Sequence, residues 1–116
     1  LEGDLYNLVL PVKENKDNMV TTTQLRQLLS NSVIVKNKIS SKILKKKDKL
    51  SDALLNDVKY LLIKHTYQCG REFKVKEFDK KFEISEKLKK IKTKEDFDIF
   101  YRYLEEIVAY VKYYIG

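Results

Sequence analysis

Turn formers are scarce in this chain, with 3 glycines and 1 proline among 116 residues. So few turn signals favour long helices with tight connections. A single cysteine excludes a disulfide framework and suits the cytosol. With 1 histidine, no glycine-rich phosphate loop and no metal-ligand spacing, the sequence assembles no catalytic constellation, no metal site and no cofactor site. Glu105 and Glu106 are neighbours, so on a helix they diverge and make no carboxylate pair. No apolar run approaches the ~20 residues of a membrane span, no signal peptide is visible, and no internal repeat stands out.

What remains is globular and basic. A hydrophobic share of 43% with 35% charged residues gives one sizeable core. The expected architecture is an all-α, single-domain bundle of about five helices over residues 20–116, after a partly ordered segment over residues 1–19. The net charge of +7 asks for a polyanionic partner. Nearly all of that excess lies between Lys36 and Lys49, where 7 lysines accompany 1 aspartate. Such a run either follows phosphates or stays mobile and solvated, and its role is open.

Leu5, Leu8 and Val9 offer a helical turn that Pro11 stops, and a polar stretch follows to Asn18. Thr21-Thr22-Thr23-Gln24 is a helix start, with Thr21 as cap, Gln24 reaching back, and Val20 stapled on Leu25. Leu25, Leu28, Leu29, Ser32, Ile39 and Ile43 then share one face, with Arg26 on its flank. Ser51 caps a central helix from Asp52, on which Leu54, Leu55, Val58, Leu61, Leu62, His65 and Cys69 point one way. His65 and Cys69 therefore read as core residues rather than a reactive pair. Gly70 suits a left-handed cap, which would put Arg71 on the turn beyond the helix.

The opposite face of that helix carries Tyr60, Lys64 and Tyr67, with Arg71 at its foot. Cations between stacking rings suit a nucleic-acid backbone and its bases, although solvated surface tyrosines and lysines share the same spacing. Further on, Val75, Phe78 and Phe82 give one short amphipathic helix, and Ile84, Leu88 and Ile91 a second. Thr93 caps the last helix, whose core face holds Phe97, Phe100, Tyr101, Leu104, Ile107, Val108 and Val111. Ile99, Tyr103 and Tyr110 form another stripe, flanked by Tyr113. A small domain has one core, so this stripe is expected to serve self-association; packing on two sides within the bundle is the alternative.

Several of these words together resemble the small subunit of the type III-A (Csm) CRISPR RNA-guided effector complex. They are Thr22-Thr23-Gln24-Leu25-Arg26, Tyr60-Leu61-Leu62-Ile63-Lys64, Tyr67-Gln68-Cys69-Gly70-Arg71-Glu72, Glu105-Glu106-Ile107-Val108-Ala109-Tyr110 and Lys112-Tyr113-Tyr114. They run in the family's order over most of Val20 to Gly116. Leu62 stands where a lysine is common, Cys69 replaces an alanine, His65 an aromatic and Glu106 a small residue, while Lys36 to Lys49 aligns with nothing.

The resemblance implies a small, cytoplasmic, all-α protein without catalytic activity, acting in antiviral defence. Several copies would stack in a filament beside the other Csm subunits, against crRNA and target RNA, with cleavage left to those subunits. It carries RNA-binding roles onto Arg26, Lys64, Arg71 and Lys112, and makes Tyr103 and Tyr110 the self-association pair. A stand-alone helical nucleic-acid-binding regulator is the rival. No short helix-turn-helix here presents a base-reading set of Asn, Gln and Arg residues, which counts against it. A protein-only helical adaptor is a third class, distinguished by little salt-dependent affinity for RNA.

Overall fold

A computed structural model describes residues 22–114. The predicted cap at Thr21 and the early turn before Pro11 lie outside those residues. The five helices are α1 (Thr22–Ser40), α2 (Asp52–Arg71), α3 (Phe73–Phe82), α4 (Ile84–Lys89) and α5 (Lys94–Tyr114). No strand occurs among the described residues, only one isolated bridge between Lys49 and Thr93.

Two of the helix starts, those of α2 and α5, have a side-chain cause. The Ser51 hydroxyl accepts from Leu54 N–H at 3.3 Å and opens α2. At α5, Thr93 Oγ1 accepts from Asp96 N–H at 3.1 Å, and Asp96 Oδ2 accepts from Thr93 N–H at 3.1 Å. That reciprocal pair satisfies donors that a helix end leaves open. The apolar stripes turn inward as their spacing predicts. Leu25, Leu28, Val35 and Ile39 of α1 are buried, as are Leu54, Val58 and Leu61 of α2, and Phe97, Leu104, Ile107 and Val111 of α5. Ser32 lies fully inside the same core, and its hydroxyl donates to Leu28 O at 2.9 Å, so its burial leaves no orphan group.

Three local expectations change. Ile43 is not on the core face: α1 ends at Ser40, three residues earlier, and Ile43 is wholly exposed. Gly70 is not a left-handed cap, because α2 continues through Arg71 and an extended Glu72 ends it. The left-handed residue is Glu83, with φ 56°, at the corner between α3 and α4. Finally, the connection at 41–51 does not float. Leu50 N–H donates to Lys92 O at 2.9 Å, Lys94 N–H to Asp48 O at 3.0 Å, and Glu95 N–H to Lys46 O at 2.8 Å.

These bonds fix the helix directions. The connection after α1 is tied to the start of α5, so α5 runs back along α1, and Lys36 Nζ lies 4.6 Å from the Tyr101 ring centroid. Lys38 pairs with Asp57 at 3.3 Å, while Gln27 and Asn31 face Lys64 and Gln68, so α1 and α2 are antiparallel too. The first turns of α1 and the last turns of α2 and α5 therefore share one end of the bundle.

Candidate nucleic-acid interface

α2 packs on α1, α3 and α4 through its apolar side, which leaves its opposite side to solvent. Tyr60, Ile63 and Tyr67 are 58%, 62% and 62% exposed there, unusually bare for large apolar-bodied residues in a row. Lys64 Nζ sits 4.7 Å from the Tyr60 ring centroid, and the Arg71 guanidinium carbon 5.7 Å from that of Tyr67. Each cation thus rests on the ring one helical turn before it, which orders both side chains and leaves the charge accessible.

Across from this face, Gln27 and Asn31 of α1 meet Tyr60, Lys64, Tyr67 and Gln68 of α2 around an open groove of about 330 Å³. The groove continues past Ile34 as a further space of about 150 Å³, reaching the Lys38–Asp57 pair. An aromatic, amide-rich and cationic groove can stack rings, bond to mixed donor–acceptor edges and attract anions.

The sequence-predicted cations are not all in one place. Lys64 and Arg71 share the α2 face. Arg26 is exposed in the second turn of α1, and Lys112 is exposed in the last turn of α5. By the helix directions, Arg26, Arg71 and Lys112 lie toward one end of the bundle, and Lys64 lies farther along the groove. Gln27, Asn31, Ile63 and Gln68 were not singled out from sequence. Gln27 and Asn31 are i and i+4 on the polar side of α1, but only the pairing of α1 with α2 sets them opposite tyrosines.

The sequence model of the family Csm2 Type III-A matches residues 11–116. A "CRISPR system Cms protein Csm2" of Streptococcus thermophilus is 44% identical over 105 residues, covering 90% of this chain and 81% of that protein. Proteins of the same name from Mycobacterium tuberculosis and Enterococcus italicus are 36% and 33% identical, over 90% and 84% of this chain and 82% and 69% of theirs. The chain belongs to the Csm2 family of type III-A CRISPR systems. The Csm2 match takes in all five helices, the groove and every predicted site residue.

The tyrosine stripe of α5 is split in this Csm2-family chain. Ile99 and Tyr113 are exposed, whereas Tyr103 and Tyr110 are partly buried against the core. The Tyr103 hydroxyl donates to Phe82 O at 3.2 Å, and Lys87 Nζ lies 4.7 Å from its ring centroid. Burial, with Glu83 nearby, pushes its hydroxyl pKa up.

His65, Cys69 and Asp79 bring one nitrogen, one sulfur and one oxygen within 4.8 Å of one another. The set could be read as a metal site, but its atoms are already engaged. Asp79 Oδ1 accepts from His65 Nε2 at 2.8 Å, from Ser85 N–H at 2.8 Å and from the Ser85 hydroxyl at 2.9 Å. Burial alone would raise the Asp79 pKa, and the bonds from His65 and Ser85 outweigh it and lower it. Burial, helped by Asp79, pushes the Cys69 thiol up to about 11, the reverse of what a thiolate nucleophile needs. The cluster ties α2, α3 and the start of α4 together, which accounts for a polar group inside the core.

Proposed function

We propose that this Csm2-family chain is a non-catalytic small subunit that contacts guide or target RNA within the type III-A effector complex. The carrying observation is the exposed ring-and-cation face of α2, where Lys64 and Arg71 lie on Tyr60 and Tyr67. Phosphate contacts from Lys64, Arg71, Arg26 and Lys112 supply sequence-tolerant attraction, in keeping with the net charge of +7. Copies stack along the outward side of α5, with Ile99 and Tyr113 as the exposed rim and Tyr103 and Tyr110 as its half-buried floor. The relatives' name speaks of a CRISPR system, and this reading gives the chain a place in one.

Co-expression with the other type III-A proteins and a guide RNA tests the reading. The chain is expected to copurify with those proteins and a short RNA, and an Ile99→Glu variant to yield complexes with fewer copies of it. The purified chain is expected to leave RNA and DNA uncut with Mg²⁺ or Mn²⁺. A sequence-specific footprint on duplex DNA, with no RNA in the copurified material, would instead support the stand-alone regulator.

A further inference from the structure

Lys64 and Arg71 account for attraction to an anion, but they leave the polar wall of the groove without a use. Gln27 and Asn31 on one side and Gln68 on the other, three carboxamide residues, line the same space as Tyr60 and Tyr67. A phosphate accepts hydrogen bonds only, and cations already serve it. Carboxamides carry a donor and an acceptor side by side, the pattern that matches the edge of a base. The groove, at about 330 Å³, is at the small end of the range for ligand sites and suits one planar group rather than a helix.

Gly70 supplies a second observation. It lies in the last turn of α2, one turn beyond Tyr67 on the same face, with a helical backbone. A Cβ built there would meet nothing within 4 Å. Glycine in a helix is destabilising relative to alanine, and neither packing nor backbone angle in this chain requires it. A bare backbone on an exposed face is useful to a partner that approaches closely.

The geometry points to a site for one unpaired RNA base in the α1–α2 groove, stacked on Tyr67, bonded at its edge by Gln27, Asn31 and Gln68, with its ribose–phosphate passing over Gly70 to Arg71. This rests on the RNA-contact reading and narrows it. A base in a duplex has its edge paired and its faces covered, so the groove selects unpaired nucleotides over A-form helix. A second copy of the chain is the competing occupant. It would bring a further +7 charge to a face that already carries Lys64 and Arg71, which disfavours it.

The test compares a short RNA bearing 2-aminopurine, unpaired or annealed to its complement, binding to the purified full chain at one salt concentration. The unpaired form is expected to bind about fivefold tighter or better, with its fluorescence quenched by stacking. Asn31→Ala with Gln68→Ala should remove about that factor for the unpaired RNA only and leave the salt dependence of both forms intact. Gly70→Ala should raise the melting temperature and weaken unpaired RNA. Equal affinity for both forms, with the amide variants silent, overturns the base site. Lys64→Ala then separates the two claims, since a shallower salt dependence for both RNAs keeps phosphate contact standing. If no RNA binds and Tyr67→Glu instead disperses a self-associated chain, the groove is a protein interface and the base site is overturned.

Discussion

Two pairs of tyrosines, each seven residues apart, sit on helices of 20 and 21 residues and meet opposite surroundings. Tyr60 and Tyr67 stand out from α2, with a cation on each ring. Tyr103 and Tyr110 lie partly inside, and Tyr103 is bonded to Phe82 O at the end of α3. Spacing makes each pair share a face. Whether that face is covered depends on a third element. The α3–α4 corner reaches over Tyr103, where the left-handed Glu83 turns the chain and leaves the Phe82 carbonyl open to a hydroxyl. Nothing described covers the outward side of α2, so its aromatic area stays available to a partner.

The strongest way to break this contrast is to remove the corner itself. Asp79 Oδ1 holds His65 and both donors of Ser85, so Asp79→Ala leaves a ring N–H and a helix-start N–H without partners. The expected loss is about 3 kcal/mol in thermal or denaturant unfolding, with Tyr103 fluorescence becoming solvent-like. pH should act in the same direction. The Asp79 pKa is lowered from 3.8 in the folded chain, so its contribution is in place above that value and is lost as pH falls through the lower, folded one. Melting curves from neutral pH into acid should show that loss in the parent chain and less of it in Asp79→Asn.

Truncating the tyrosines themselves should have smaller effects. Tyr103→Ala should cost about 2 kcal/mol, from lost ring burial and the lost bond to Phe82 O. Tyr67→Ala should cost under about 0.5 kcal/mol, since its ring is mostly in water. Equal losses at the two positions would mean that the faces are not different in kind.

Much of the fold was legible because its signals are local. Ser51 and Thr93 announce their helices through a side chain and a backbone donor three residues on, and the burial of Leu61, Phe97 and Leu104 follows from the helical period. Gly70 misled because glycine permits a left-handed cap without requiring one, and the break fell instead at Glu72 and Glu83, residues with no turn signature. The anchoring of the lysine-rich stretch was not legible because its partners, Lys92, Lys94 and Glu95, are more than 40 residues away in sequence. Of the candidate site, Tyr60, Lys64, Tyr67 and Arg71 were readable from one helix alone. Gln27, Asn31 and Gln68 were not, because a groove belongs to two helices and no periodicity in either reports their pairing.

The smallest expected effect concerns α5. Glu106 Oε2 is enclosed and has no hydrogen-bond partner among the described residues, an arrangement that costs stability. Glu106→Ala should leave the melting temperature unchanged or raise it, by the equivalent of about 0.5 kcal/mol at most, while Leu104→Ala two residues away should cost about 3 kcal/mol.

In the proposed reading the open face of α2 meets RNA while the tyrosines of α5 serve the protein. Its most direct test is the salt dependence of target-RNA binding by the assembled type III-A complex carrying Lys64→Ala with Arg71→Ala. With subunit content unchanged, the slope of log affinity against log salt should fall by about one to two units. A complex with the same subunits, the same affinity and the same slope as the parent would contradict the account.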